Sequence, residues 1–115
     1  MRRLILMRHA KSSWSDPLQH DAARPLNERG RKAAPLMGRW MRAQGLVPDL
    51  ALISTARRTL ETWELAAAEM TEGRAPAHAS TEAIYNAGAE RLLALVHDAP
   101  EEAETLMLVG HNFKC

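Results

Sequence analysis

Cysteine is nearly absent: the 115 residues hold one, Cys115 at the last position, so no disulfide can close within the chain. A disulfide scaffold is excluded, and a reducing compartment fits. No charge sign prevails either, since 15 Lys and Arg face 14 Asp and Glu, a formal net charge of +1. Such a balance gives no broad basic field, which argues against a nucleic-acid partner held by bulk electrostatics. Aromatic residues make up 4 %. Trp14, Trp40 and Trp63 lie too far apart for a stacking platform, and the last two read as core. Long apolar runs are missing too. Leu4 to Met7 is followed at once by Arg8, whereas a signal-peptide core needs ~7–15 residues and a membrane span ~20. The chain therefore reads as cytoplasmic, with no membrane partner. No two histidines have the spacing of a zinc-binding helix, so no metal is expected. What is present, 46 % apolar and 25 % charged residues, excludes a disordered chain and fits one domain over residues 1–115.

Short apolar runs alternate with helix-like stretches. Leu4–Met7 reads as a short buried strand, and 12–26, with Pro17 and Pro25, as a loop. A long helix is expected over 27–44, with Asn27 as N-cap and Gly45 as the stop. Its inner face would carry Ala33, Met37, Trp40, Met41 and Gln44. Pro35 predicts a kink or a late start, because an interior proline costs ~3 kcal/mol. A second strand is expected over Leu50–Ile53, then a helix over 56–70 with Leu60, Trp63, Ala67 and Met70 inward. A loop over 73–80, a short strand over Ala83–Tyr85 and a helix over 89–97 follow, the last with Ala89, Leu92, Leu93 and Val96 on one side. Thr105–Val109 closes the pattern as a strand. This alternation predicts an α/β fold with a largely parallel sheet.

In parallel sheets ligands gather outside the carboxyl ends of the strands. That rule selects Arg8-His9, the stretch from Ser54 to Arg58, and Gly110-His111-Asn112. Arginine offers a planar fork of donors that matches phosphate oxygens. A neutral histidine between arginines can attack phosphorus and form a covalent phosphohistidine. A second histidine, once protonated, adds charge to the clamp. Arg57 and Arg58 fall in the first turn of a predicted helix, where a cation is disfavoured by ~0.3–1 kcal/mol. A bound anion would reverse that sign. Each piece alone has a plain structural explanation; the three together point to a phosphate site. His20, His78 and His97 read as surface residues.

These residues resemble the histidine phosphatase (phosphoglycerate-mutase-like) superfamily, and within it the SixA-type phosphohistidine phosphatases. The resemblance rests on Leu4 to Trp14 (LILMRHAKSSW), on Asp21 and the run from Arg24 to Gly30 (RPLNERG), on Ser54-Thr55-Ala56-Arg57-Arg58 with Thr62, and on Val109-Gly110-His111-Asn112. It departs from the family at Ala10, where many members carry glycine, and at Thr55, where proline is usual. The resemblance implies a three-layer α/β fold with a largely parallel central sheet flanked by helices. It implies that His9 is the nucleophile and that Arg8, Arg58 (not Arg57) and His111 form the phosphate pocket, with Ser15 a further phosphate-binding candidate. Glu82, then Asp21, are the candidate proton donors. No cofactor is implied.

The expected activity is hydrolysis of phosphohistidine on a signalling protein, with a histidine phosphotransfer domain as one form of partner. Two alternatives stand beside it: a phosphatase for small phosphate esters, and an inactive truncated remnant. Truncation enters because the family continues after Gly-His-Asn for roughly 40–50 residues, as a domain of ~150 requires. Here the chain reads Asn112-Phe113-Lys114-Cys115 and stops, so the last strand and helix of the family are expected to be missing.

Overall fold

The computed structural model describes residues 2–14, 16, 18, 20–85 and 87–111. In chain order these carry β1 (Arg3–Arg8), α1 (Glu28–Ala43), β2 (Leu50–Ser54), α2 (Arg57–Ala67), β3 (Ala77–Thr81), α3 (Ala89–Asp98) and β4 (Thr105–Gly110). Short 3-10 turns lie at Asp21–Ala23 and Glu82–Ile84. The four strands form one parallel sheet in the order β1-β4-β2-β3. β4 is its centre, and all six of its residues are buried.

Alternation along β4 creates the layers, because successive side chains of a strand point to opposite faces. Met107 and Val109 pack with Ala51, Ile53 and the α1–α2 residues Met41, Trp63, Ala66 and Ala67. Leu106 and Leu108 face the other way, towards Ile84 and the α3 residues Leu92, Leu95 and Val96. The sheet is thus sandwiched between helices, as the α/β reading requires.

Several local expectations are corrected. β1 is an edge strand, not a buried one: Leu4 and Leu6 are 42 % and 48 % exposed. β3 occupies Ala77–Thr81, inside the expected loop, while the expected strand over 83–85 begins in a 3-10 turn. The segment Ala-His-Ala-Ser-Thr carries no large apolar residue; parallel pairing to β2 from Leu50↔Ala77 to Ser54↔Thr81 makes it a strand.

α1 starts where Asn27 caps it, its side-chain oxygen accepting from the Gly30 amide at 2.9 Å, and it continues past Pro35 without a late start. Its buried residues are Gly30, Ala34, Gly38 and Met41. Of the expected inner face only Met41 is buried; Ala33 and Gln44 are exposed, as are Met37 and Trp40. The cause is the close approach of α2: a Cβ at Gly38 would overlap the Ala66 carbonyl, so small residues fill the contact and large ones turn outward. In α2, Trp63 and Ala67 are buried, and Met70 just beyond it is too, but Leu60 is 38 % exposed. On α3, Leu93 and Ala89 point outward, while Leu92 and Val96 turn to the sheet. No helix among the described residues is long and apolar enough to cross a membrane.

Candidate active site

The order β1-β4-β2 places the ends of three strands side by side. Arg8 is paired in register with Gly110, and the His9 amide donates to the Gly110 carbonyl at 3.0 Å. His9, Arg58 and His111 line one open cavity of about 910 Å³, together with Arg8 and Arg24.

His9 is held in one tautomer. Its Nδ1 lies 2.7 Å from the Ala10 carbonyl, which can only accept, so Nδ1 carries the proton. Nε2 is left with its lone pair and accepts from Arg58 Nε at 3.3 Å. Burial lowers the His9 pKa below 6.5; the Ala10 carbonyl opposes this, while Arg58, Arg8 and Arg24 add to it. The ring is therefore neutral near pH 7 and able to act as a nucleophile. Beneath it, buried Thr62 fixes the loop. Its Oγ accepts from the Ala10 amide at 3.0 Å and donates to the Arg58 carbonyl at 2.7 Å.

Arg58 enters from the first turn of α2 and is buried. Nη1 donates to the Asp21 carbonyl at 2.6 Å, and Nη2 to the Asp21 carboxylate at 2.9 Å. Nη2 also lies 3.2 Å from His111 Nδ1. A guanidinium can only donate, so His111 Nδ1 accepts and Nε2–H donates to Ser54 Oγ at 2.8 Å. Burial first, then Arg58 and His9, lower the His111 pKa to about 4. The second histidine of the clamp is thus neutral in the free protein. The His9 and His111 rings meet edge to face, 5.5 Å between centroids.

Asp21 binds this arrangement from outside. Tyr85 donates its hydroxyl to Oδ2, and Arg24 donates to Oδ1 from Nε and Nη2 at 3.2 and 3.1 Å. The Tyr85 hydrogen bond, with those from Arg58 and Arg24, holds the Asp21 carboxyl well below the usual carboxylate range. An acid that is already ionised has no proton to give, which speaks against its role as proton donor. Glu82 lies on the turn after β3, is exposed, and is not among the residues that line the cavity. Arg57 points to solvent and pairs with Glu61 at 3.5 Å. Ser15 and Asn112 lie outside the described residues.

Residues 4–82 match the profile of the histidine phosphatase superfamily (branch 1). The chain belongs to this superfamily. A chloroplast protein of Arabidopsis thaliana, itself uncharacterised, is 35 % identical over 96 % of this chain and 54 % of its own length. An uncharacterised protein of Mycobacterium tuberculosis is 36 % identical over 92 % of this chain and 63 % of its own. SixA from Agrobacterium tumefaciens superposes with a TM-score of 0.86 at 35 % identity, over 96 % of this chain and 70 % of that one. The chain therefore spans between half and two thirds of the length of the Arabidopsis and Mycobacterium relatives.

Within this histidine phosphatase fold the structure brings together Arg8, His9, Arg58 and His111, and it adds two residues that sequence reasoning missed as site members. Arg24 is buried, reaches Ser12 Oγ at 2.7 Å from Nη1, and stacks its guanidinium 3.5 Å over the exposed Trp14 ring. Its place in the Arg-Pro-Leu run was the available signal. Tyr85 gave none, since only the fold sets it against Asp21 and 5.1 Å from the His111 ring. Among the described residues, no three His, Cys, Asp or Glu gather into a group that could hold a metal ion.

Proposed function

We propose that this chain hydrolyses protein-borne phosphohistidine through a covalent phosphohistidine on His9. The observation that carries the reading is the unprotonated Nε2 of His9, whose lone pair meets only the long 3.3 Å hydrogen bond from Arg58 Nε, in a cavity rich in arginine. In the first step Nε2 attacks phosphorus as the P–N bond of the substrate breaks. The electron pair of that bond passes to the leaving imidazole nitrogen, which is protonated from solvent. In the second step water attacks phosphorus, the bond to Nε2 breaks, and its pair returns to His9. Arg8, Arg24 and Arg58 would hold the phosphoryl oxygens by charge-assisted hydrogen bonds.

Among the described residues neither of the two proton-donor candidates is placed to act as a general acid, which favours P–N over P–O substrates. An alkoxide leaving group needs a positioned acid, whereas an imidazole leaves more easily. Asp21 is ionised, and Glu82 stands off the cavity. The related Agrobacterium SixA is named, by inference, a phosphohistidine phosphatase, which supports the same reading. An open cavity suits a phosphate carried on a protein, such as a histidine phosphotransfer domain.

The test is release of phosphate from a phosphohistidine-bearing protein, with His9→Ala as control and label trapping on the chain at neutral pH. Release and labelling that both require His9 are expected. Ester hydrolysis that outpaces P–N hydrolysis and drops in Glu82→Gln would replace this reading with a phosphomonoesterase. No release and no label would mean an inactive chain.

A further inference from the structure

The cavity extends beyond the place where one phosphoryl group would sit. Five of its lining side chains are Lys or Arg and none is Asp or Glu. Arg24 and Arg58 are both paired with Asp21. Lys11 and Arg29 differ: among the described residues neither takes part in an ion pair. Glu28, the acid next to Arg29 in sequence, is turned to Lys32 at 3.4 Å.

The backbone brings these two cations onto one wall. The Asn27 amide donates to the Lys11 carbonyl at 2.9 Å, and the Asn27 side chain donates to the Ser12 carbonyl at 3.3 Å. A Cβ at Gly30 would overlap the Lys11 carbonyl, so the loop after β1 lies directly against the first turn of α1. Arg29 belongs to that turn, where a cation gains nothing from the helix dipole. Two like charges that line one cavity with no ion-pair partner among the described residues repel, and stability alone would favour an acid beside them. In the proposed function one phosphoryl group is already served by Arg8, Arg24 and Arg58.

We propose that Lys11 and Arg29 form a second anion subsite that receives an acidic side chain flanking the phosphohistidine of the substrate. This deepens the phosphohistidine reading and rests on it. Its consequence is a preference for phosphohistidine segments with Asp or Glu close to the modified residue, over otherwise equal neutral ones.

The experiment uses two phosphohistidine peptides that differ only in Glu or Gln at the flanking positions. Binding is measured with the His9→Ala chain, which cannot turn them over, and hydrolysis with the unaltered chain. The His9→Ala chain is expected to bind the Glu peptide about 5-fold more tightly, as two exposed charge pairs allow. That ratio should fall towards 1 in 0.5 M salt (about a 4 Å screening length). It should also fall towards 1 when Lys11→Ala and Arg29→Ala are added, while both proteins keep the same melting temperature. Equal affinities for the two peptides in the His9→Ala chain would overturn the subsite, whatever the hydrolysis result. Failure of the unaltered chain to hydrolyse either peptide would overturn the phosphohistidine reading and leave the binding ratio to decide the subsite.

Discussion

Asp21 holds Arg58 twice, through its backbone carbonyl on Nη1 at 2.6 Å and its carboxylate on Nη2 at 2.9 Å. The carboxylate therefore occupies a guanidinium edge that a phosphoryl oxygen would need. It also repels a dianion arriving at the same arginines. Asp21→Asn keeps the backbone contact and one side-chain acceptor, so Arg58 stays in place while the negative charge goes. Inorganic phosphate is expected to bind about 3–10-fold more tightly to Asp21→Asn, the order of one screened charge contact. Weaker binding in a titration would show that the carboxylate orients the arginine more than it competes.

The pH dependence follows from the two histidines. Both have folded-state values below 6.5, His111 at about 4. Between about 6.5 and about 4 the unfolded chain binds more protons than the folded one. Stability should then fall as the pH drops through that window. Melting temperatures from pH 7 to pH 4.5 should decline in the free protein. Saturating phosphate should flatten the decline, because a bound phosphate anion favours the protonated rings. The nucleophile needs neutral His9, so kcat/KM should persist below pH 6.5 before its acid limb begins. An acid limb centred at 6.5 or above would contradict the burial of His9.

Thr62 offers a test that separates positioning from chemistry. Its hydroxyl satisfies the Ala10 amide from below the loop that carries His9. Thr62→Val keeps the volume but leaves that half-buried amide without its side-chain partner, at a cost of ~1 kcal/mol. We expect a lower melting temperature and a reduced kcat, with KM for a small phosphate substrate changed less. Thr62→Ser, which keeps the hydroxyl, should restore most of kcat.

The grouping of the candidate site residues was legible where a polar or charged side chain directly follows an apolar run. Arg8-His9 and His111 are of this kind, and Arg58 followed from the register of Ser54 to Thr62. Arg24 was not, since its burial depends on Trp14, Ser12 and Asp21 closing around it. β3 escaped for a different reason: an exposed edge strand of small and polar residues has no hydrophobic period to read. On α1 the period was visible but its phase was misread. Large apolar residues were assigned inward, whereas the contact with α2 is made by glycine and alanine, and Trp40 remains 53 % exposed.

That close contact predicts a stability pair. Gly38→Ala gains about 1 kcal/mol of helix propensity. Against this, the new methyl meets the Ala66 backbone carbonyl, which cannot swing aside as a flexible side chain would. Overpacking of that kind costs ~1–3 kcal/mol, and more when backbone must shift. A net loss is expected, visible as a lower denaturation midpoint with an unchanged slope. Gly73→Ala serves as the control, because nothing lies within 4 Å of a Cβ there. It should stay within about 0.5 kcal/mol of the parent. A stabilised Gly38→Ala would mean that α1 and α2 can separate at little cost, and the small-residue seam would lose its role in setting which face of α1 is buried.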